Sequence, residues 1–431
     1  MKREYRHVVS ERLQEEYYHY RHESGLDVYV IPKDFSSSYA IYATKYGSVE
    51  QTFRKNADEE FVTVPDGVAH FLEHKMFEEP DGSDAFRKFA PLGANANAYT
   101  SFDLTAYLFS TTEDPLPPLR VLLSFVSTPH FTDENVEKEQ GIIGQEIDMC
   151  EDRPGTRLYY TLLRGLYPNN NVSTNIAGTV ESISRITPDV LYRCYNTFYH
   201  PSNMALCVVG KVTPDAVLDV VDQVLPKEVA PISPEVLYPE NDKKIAAEYT
   251  SFEMEVSKPL FMLGLRDFDM PSTPVELGKK AVMMELISEM LFAKSASLFT
   301  ELYEDKLITS ELDGSYDIGR GYAHFVISGE SDDPDAVIDR IWKKIGLLKK
   351  EPPTREEFER VRRVHYAEFI RLFDSTEEIG DAFIRHLFAD NDLLTFTDIM
   401  DAVTYEDTLE LFDKFFHKEA SSAAIVFPIK K

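Results

Sequence analysis

The segment that most constrains this chain is the ten-residue run VAHFLEHKMF, which starts at Val68. It contains two histidines, His70 and His74, four positions apart. On an α-helix such residues lie on one face, so both imidazoles can point at a common metal ion. Glu73 lies near the same face, where its carboxylate can accept a proton from a metal-bound water. The spacing therefore predicts a helix that carries two zinc ligands and a general base.

A zinc site needs at least one further protein ligand. The acidic stretch that begins at Val136 places Glu139 and Glu146 seven positions apart. Two helical turns put these carboxylates on one face of a helix. One can bind the metal while the other orients a histidine through a hydrogen bond. The residues alone leave a second interpretation open, in which two solvated helices carry surface histidines and surface carboxylates.

Taken together, these motifs resemble those of the M16 metallopeptidases, the family of pitrilysin and insulin-degrading enzyme, and most closely its short bacterial YmfH-like members. The order H-x-x-E-H is the inverted zincin motif. The resemblance continues through the downstream glutamate pair, the segment GANANAYT from Gly93, and YHPSNM from Tyr199. It covers most of the first half of the chain and rests on general layout in the second half.

The resemblance implies a role for each matching residue. His70, His74 and Glu146 would bind one zinc ion per chain. Glu73 would be the catalytic base, and Glu139 the catalytic carboxylate that supports a histidine. The reaction implied is the hydrolysis of peptide bonds in peptides or unfolded segments. Two histidines and one carboxylate also suit manganese or cobalt, so the residues do not by themselves select zinc.

Small side chains fill residues 93–98, ahead of a strand-like run at 104–109. Small residues let another backbone approach closely. In the M16 family this region is an edge strand that pairs with extended substrate. The resemblance therefore implies that Asn97 and Ala98 contact the peptide substrate and that Tyr107 lines the site. An ordinary hairpin with a flexible tip would explain the same residues.

The chain has 431 residues, which is too long for one ordinary core, and its layout repeats. Residues 104–110 and 322–328 are both strand-like and are both followed by Asp-Pro and a helix. Four prolines between Pro226 and Pro239 indicate a linker. We predict an α+β fold with two homologous domains, each a mainly antiparallel β-sheet packed with α-helices. The predicted boundaries are 1–225 for the metal-binding domain, 226–244 for the linker and 245–431 for a second domain without the metal motif.

The second half departs from the M16 pattern where active members, or their partner subunits, carry an arginine and a tyrosine seven positions apart. In the corresponding stretch, residues 302–310, neither stands at its place. Losing such a donor to the tetrahedral intermediate costs roughly 3 kcal/mol. Arg320 and Tyr322 have the wrong spacing to replace the pair. The resemblance thus implies the zinc-bearing subunit of a heterodimer whose paralogous partner supplies these residues, with a homodimer as the alternative.

The formal charge of −29 and the pI near 4.8 argue against binding to nucleic-acid phosphates. No apolar segment is long enough to predict a membrane span or a secretory signal. The three cysteines form no C-x-x-C pair, which is typical of reduced thiols. We expect a cytoplasmic protein without a membrane or nucleic-acid partner. The competing function is a noncatalytic scaffold or peptide-binding subunit, which we disfavour because the full ligand set is present.

Overall fold

A computed structural model describes residues 3–227, 229–239 and 243–429. These residues form two compact units, each built from three segments of the chain. The first unit contains the residues up to Ile147, Asn175–Tyr238 and Ile370–Thr395. The second contains Asp148–Thr174, Pro239–Phe369 and the residues from Phe396 onward.

The strands of the described residues are β1 Arg6–Ser10, β2 Glu15–Arg21, β3 Asp27–Pro32, β4 Ser38–Thr44, β5 Thr52–Arg54, β6 Val62–Thr63, β7 Ala94–Thr100, β8 Thr105–Thr111, β9 Met204–Gly210, β10 Glu235–Val236, β11 Tyr249–Met254, β12 Leu260–Arg266, β13 Asp313–Gly319, β14 Tyr322–Glu330 and β15 Ser421–Pro428. The α-helices are α1 Val68–Met76, α2 Leu116–Val126, α3 Asp133–Glu151, α4 Pro154–Leu166, α5 Val180–Ile183, α6 Pro188–Phe198, α7 Pro214–Val224, α8 Pro274–Phe292, α9 Ser297–Glu304, α10 Pro334–Leu348, α11 Arg355–Arg371, α12 Thr376–Phe388, α13 Phe396–Asp401 and α14 Tyr405–Phe415. Short 3₁₀ helices occupy Ala85–Lys88, Ala90–Leu92, Asn171–Ser173, Pro201–Asn203, Leu372–Asp374, Leu393–Thr395 and Lys418–Ala420.

Several helices begin at a Thr-Pro pair whose local chemistry explains the start. Thr187, Thr213 and Thr273 precede α6, α7 and α8, and each threonine side chain accepts a hydrogen bond from an amide in the first turn. The proline that follows has a backbone angle suited to the first helical position and has no amide hydrogen to leave unpaired. These helix starts are therefore encoded locally.

Seven strands of the first unit form one sheet in the order β1-β2-β3-β9-β4-β8-β7. Only β3 and β9 are parallel neighbours. Both β4 and β9 are buried along their whole length, as strands covered on both faces must be. Strand β7 lies at the edge of the sheet, so the prediction of an edge strand in this region is confirmed. Its contact with a substrate stays a prediction.

Helices cover both faces of this sheet. One face packs against α1, α2 and α7 around a shared apolar core. The opposite face receives α12, which packs against β4 and β9. The approach is close, because a Cβ on Gly380 of α12 would lie 2.5 Å from the ring of Tyr39. The Tyr39 hydroxyl donates a hydrogen bond of 3.0 Å to Asp381.

The second unit has a five-stranded sheet in the order β11-β15-β12-β14-β13, in which only β11 and β15 are parallel. Counted from β3 in the first unit and from β11 in the second, both sheets have the strand order 1-5-2-4-3. The parallel pair occupies the same place in both orders. The predicted α+β fold with a repeated, mainly antiparallel layout is therefore confirmed.

The compact units cross the boundaries predicted from the sequence at two places. Residues 148–174, which contain α4, belong to the second unit, where a Cβ on Gly165 would lie 2.3 Å from the Ser422 hydroxyl. Residues 370–395, which contain α12, belong to the first unit. Close packing between segments far apart in the chain explains both differences, since sequence composition gives no sign of such contacts. The assignment of 1–225 and 245–431 as homologous domains stays a prediction.

The predicted linker 226–244 is only partly described, because residues 228 and 240–242 lie outside the described residues. Its described part includes β10, which pairs with β5. All three cysteines are free, as predicted. Within the ranges given above, none of the helices combines the length and the apolar composition that a membrane span requires.

Candidate metal centre

Helix α1 carries the two predicted histidine ligands, and its start is fixed by a close backbone contact. Gly67, the residue before the helix, has a φ of 90°, a conformation that favours glycine. A Cβ at this position would lie 2.5 Å from the carbonyl oxygen of Ala177. Phe71 and Leu72 are fully buried in the core. The helix is thereby held at its first turn and along its apolar face.

The structure brings together the three residues predicted as metal ligands. One ligand atom from each of His70, His74 and Glu146 lies within 4.8 Å of the other two. The histidine rings are 4.6 Å apart between centroids. His70 Nε2 lies 3.7 Å from Glu146 Oε1, and His74 Nε2 lies 3.5 Å from Glu146 Oε2. Both imidazoles thus present their Nε2 atoms to the carboxylate of Glu146 on α3.

These separations fit a shared metal ion better than direct hydrogen bonds. Two metal-ligand bonds of about 2.1 Å that meet at a tetrahedral angle hold their ligand atoms about 3.4 Å apart. A hydrogen bond between nitrogen and oxygen is shorter, at about 2.9 Å. Two imidazole nitrogens and one carboxylate are also donors that zinc accepts in catalytic sites with one position left open. The chemistry and the spacing of this set therefore fit a catalytic zinc ion.

Glu139 lies where the sequence predicted a supporting carboxylate. Its Oε1 is 3.2 Å from His74 Nδ1, which leaves His74 Nε2 directed at Glu146. Burial alone would raise the pKa of Glu139, but the hydrogen bond with His74 and the charge of Lys75 lower it. Burial alone would lower the pKa of His74, but the hydrogen bond with Glu139 and the charges of Glu73, Glu139 and Glu146 raise it. The pair is therefore a charge-assisted contact that orients the ring.

The two histidines differ in their surroundings. Burial, together with the charge of His74, lowers the pKa of His70 to about 3, so this ring is neutral at pH 7 and can act as a ligand. Its Nδ1 is buried and has no hydrogen-bond partner among the described residues. The orientation of His70 thus depends on packing, whereas that of His74 also depends on a carboxylate.

Glu73, the predicted base, is 8% exposed and lies beside the ligands. Burial raises the pKa of Glu73, and the charge of Glu146 adds to this effect, while a hydrogen bond from Thr100 and the charge of His74 oppose it. Thr100 Oγ1 donates that bond to Glu73 Oε2 over 2.6 Å. A carboxyl group with a raised pKa beside a metal ligand set is suited to proton transfer.

Asn97 and Ala98, the predicted substrate contacts, both lie in the edge strand β7. Asn97 is exposed and Ala98 is partly buried. The amide of Ala98 donates a hydrogen bond of 2.9 Å to the side-chain Oδ1 of Asn97. Both residues are therefore placed at the edge, and the Ala98 amide has a partner from its own strand.

The structure does not bring Tyr107 to the surface. Its side chain has no exposed area, and its hydroxyl shares a hydrogen bond of 2.8 Å with the hydroxyl of Tyr199. The ring of Phe77 lies 5.8 Å away between centroids. Tyr107 pairs with Ala98 across the two strands and points into the core. The prediction that it lines the site is corrected accordingly, because a buried ring offers no surface to a substrate.

Sequence reasoning missed two residues of this site. Thr100, described above, holds Glu73. Lys75 has no exposed side-chain surface and lies 3.6 Å from Glu139. The sequence spacing indicates the position of each residue. Lys75 falls on the same helical face as Phe71 and Leu72, which predicts burial, and Thr100 falls on the same strand face as Ala98.

Family models match two parts of the chain. A model described as "Insulinase (Peptidase family M16)" matches residues 64–180, which include every candidate metal ligand. A model described as "Peptidase M16 inactive domain" matches residues 185–364.

The chain is also similar to whole proteins. A Bacillus subtilis protein named uncharacterized zinc protease YmfH is 39% identical over 424 residues, which cover 98% of this chain and 99% of the relative. A crystal structure of an M16-like peptidase from Alicyclobacillus acidocaldarius has a TM-score of 0.93 and 32% identity, covering 98% of this chain and 100% of that one. A protease structure from Helicobacter pylori, at 20% identity and a TM-score of 0.78, supports the fold alone. Because these similarities extend over nearly the full chain, the protein belongs to the M16 peptidase family, among its YmfH-like members.

Proposed function

We propose that the protein is a zinc-dependent endopeptidase that cleaves peptides or unfolded segments. The observation that carries this proposal is the convergence of His70, His74 and Glu146 within 4.8 Å, with the buried Glu73 beside them. The relatives' description as zinc proteases supports the same reaction class. Zinc bound by these three side chains would polarise a substrate carbonyl and acidify a coordinated water.

The protein's own residues would then handle the proton. Glu73 accepts the proton from the attacking water and returns it to the leaving amine, and its raised pKa suits both steps. Thr100 holds Oε2 of Glu73, which leaves Oε1 for the water. Glu139 keeps the His74 ring in the orientation that directs Nε2 at Glu146.

The edge strand β7 would align the substrate. The amide of Ser101 donates a hydrogen bond to the carbonyl of Leu104, which closes the hairpin between β7 and β8. The Ser101–Leu104 pair is thus hydrogen-bonded. Hydrogen-bonded and non-hydrogen-bonded pairs alternate along an antiparallel hairpin, so the Ala98–Tyr107 pair is a non-hydrogen-bonded one. The backbone groups of Ala98 therefore point away from β8. An extended peptide would pair with them and displace the Asn97 side chain from the Ala98 amide.

We further propose that this chain is the zinc-bearing subunit of a cytoplasmic heterodimer. In residues 302–310 neither the Arg nor the Tyr of the M16 pattern stands at its place, and a paralogous M16 subunit would provide both donors. Mixing the purified chain with that paralogue should raise the rate of peptide cleavage. Equal rates for the mixture and the single chain would contradict the heterodimer and favour either self-sufficiency or a homodimer.

The metal site is tested by elemental analysis of purified protein. Wild type should hold near one zinc per chain, while His74→Ala and Glu146→Ala should hold little. Glu73→Gln should keep the metal and lose hydrolysis of an internally quenched peptide, because the base is removed and the ligands remain. A folded wild type that binds no zinc when zinc is supplied would exclude the peptidase and leave the scaffold as the better function.

A further inference from the structure

Lys75, the residue after the second histidine, is a lysine with no exposed side-chain surface. It lies on the buried face of α1 with Phe71 and Leu72. Lysine is among the residue types least often fully buried, and a buried charge is stable only when it is paired. The partners of Lys75 therefore indicate why a cation occupies this place.

Two carboxylates pair with the Lys75 ammonium group. Its Nζ donates a hydrogen bond to Glu78, which lies two residues beyond the end of α1. It also lies 3.6 Å from Glu139 Oε2. The other oxygen of Glu139, Oε1, is 3.2 Å from His74 Nδ1. A single carboxylate thus joins a fully buried ammonium group to a histidine that faces the candidate metal.

This arrangement restrains Glu139 more than a histidine contact alone. Glu139 reaches α1 from α3 through a flexible side chain whose rotamers would otherwise compete. The attraction between Lys75 and Oε2 favours the rotamer that presents Oε1 to His74. Because the Lys75 side chain is fully buried and that of Glu139 is 11% exposed, this attraction is stronger than it would be at the surface. His70 Nδ1 has no partner in the described part of the chain, so His74 is the one of the two candidate ligand rings whose Nδ1 a carboxylate orients.

We propose that Lys75 is a positioning residue of the metal centre. Through Glu139 it holds His74 with Nε2 directed at the metal, and it thereby sets the affinity for zinc. This inference rests on the zinc site of the proposed function, but it does not depend on peptide hydrolysis. Its test is accordingly a binding measurement.

The experiment measures the zinc dissociation constant by competition with a chromogenic chelator, together with the melting temperature of the metal-free protein. The variants are Lys75→Met, Lys75→Arg, Glu139→Gln and the double variant Lys75→Met/Glu139→Gln. The matched control is Lys88→Met, because Lys88 also pairs with a glutamate, Glu79, but is half exposed. The peptidase reaction is not needed for any of these readings.

Lys75→Met should weaken zinc binding roughly tenfold to a hundredfold, as loss of an orienting partner does. Lys75→Arg should recover most of the affinity, and Lys88→Met should leave it unchanged. The double variant should bind zinc no more weakly than Glu139→Gln alone, because both substitutions interrupt the same chain of contacts from Lys75 through Glu139 to His74. Wild-type affinity in folded Lys75→Met, or additive losses in the double variant, would overturn the proposal.

A folding defect in Lys75→Met is addressed by Lys75→Met/Glu78→Gln, which leaves no unpaired charge at Glu78. Weak zinc binding in this folded protein supports the positioning role, and wild-type affinity contradicts it. If both variants fail to fold, Lys75 serves the fold and the proposal is also overturned. A wild type that binds no zinc would instead overturn the proposed function, so the two failures are distinct.

Discussion

Thr100 Oγ1 donates a hydrogen bond of 2.6 Å to Glu73 Oε2, which joins the last residue of the edge strand β7 to the candidate base on α1. Thr100 is thus shared by the strand proposed to bind substrate and by the group proposed to move the proton. Alignment of a peptide along β7 and orientation of the base are therefore linked through one side chain.

Replacing Thr100 by valine keeps the shape of the side chain and removes this hydrogen bond. A hydrogen bond to a charged group contributes about 1.5 to 3 kcal/mol, so kcat/KM for a quenched peptide should fall at least about tenfold. Zinc content should stay at the wild-type level, since no ligand changes. Thr100→Ser retains the hydroxyl and should retain most of the activity. Unchanged kcat/KM in Thr100→Val would show that the base is oriented without this contact.

Replacing Ala98 by proline tests the edge strand directly. Proline has no amide hydrogen, and on an edge strand it is tolerated where that hydrogen does not pair with the neighbouring strand. Because the Ala98 amide contacts only the Asn97 side chain among the described residues, the fold and the zinc content should persist. Peptide cleavage should fall at least about tenfold, the loss expected from one substrate hydrogen bond and its orientation. Ala98→Ser keeps the amide and is the control; equal activity of the proline variant would argue against pairing at this residue.

Gly67→Ala should destabilise α1, the helix that carries the candidate ligands His70 and His74. The new Cβ would lie 2.5 Å from the Ala177 carbonyl oxygen, and the φ of 90° is unfavourable for alanine. The combined cost should be about 2 to 5 kcal/mol in the free energy of unfolding measured with urea. Gly82→Ala is the matched control, because Gly82 has a φ of 76° but a Cβ at that position would meet nothing within 4 Å, so only about 1 kcal/mol is expected. Similar losses in both variants would show that the contact with Ala177 yields easily.

The stability of the protein should fall in mild acid because of His324. This side chain is fully buried, with its Nδ1 3.1 Å from the Tyr167 hydroxyl and its Nε2 3.4 Å from that of Tyr159. Burial lowers the pKa of His324 to about 3. The unfolded chain binds a proton near pH 6.5 and the folded chain does not, so stability present above that pH is lost as the pH falls toward 3.

His324→Gln keeps a polar side chain at this position and removes the titration. Between pH 7.5 and 5.5 the wild type should lose about 1.4 kcal/mol more unfolding free energy than the variant. Urea unfolding at the two pH values measures both losses. Parallel pH profiles for the two proteins would mean that His324 does not report on this buried environment.

Helical periodicity predicted which side chains share a face, and the resemblance to the M16 family then assigned the candidate ligands among them. His70 and His74 share a face at four residues, and Glu139 and Glu146 share one at seven, so the structure needed only to bring two helices together. The edge strand was predicted through the resemblance to the M16 family, since the small residues alone also fit an ordinary hairpin.

The prediction for Tyr107 came from the resemblance to the M16 family and did not take the register of β8 into account. Thr105, Tyr107 and Phe109 alternate along β8 and are all buried, so the tyrosine belongs to the core face. Lys75 was overlooked because a lysine is normally expected to be exposed to solvent, even when its helical position lies on an apolar face. Its burial depends on Glu78 and Glu139, and the second of these is brought in by tertiary packing.

The composition of the two units could not be read from the sequence. Linker signals near Pro226 and Pro239 indicated a division there, yet α4 and α12 each pack into the unit on the other side of it. Such exchanges depend on shape complementarity between surfaces far apart in the chain. Neither hydrophobic periodicity nor turn residues encode them.

The packing of α12 against β4 and β9 has a consequence for folding during synthesis. A chain translated as far as Tyr238 already contains all seven strands of the first sheet and every candidate zinc ligand. It still lacks α12, which covers Tyr39 and contains Phe383. The ring of Phe383 lies 4.9 Å from that of Tyr29 between centroids. Until residues 370–395 leave the ribosome, an apolar face of this sheet is exposed to other nascent chains and to chaperones. We therefore expect the unit that carries the candidate zinc ligands to begin folding first and to be completed only after residues 370–395 have been synthesised.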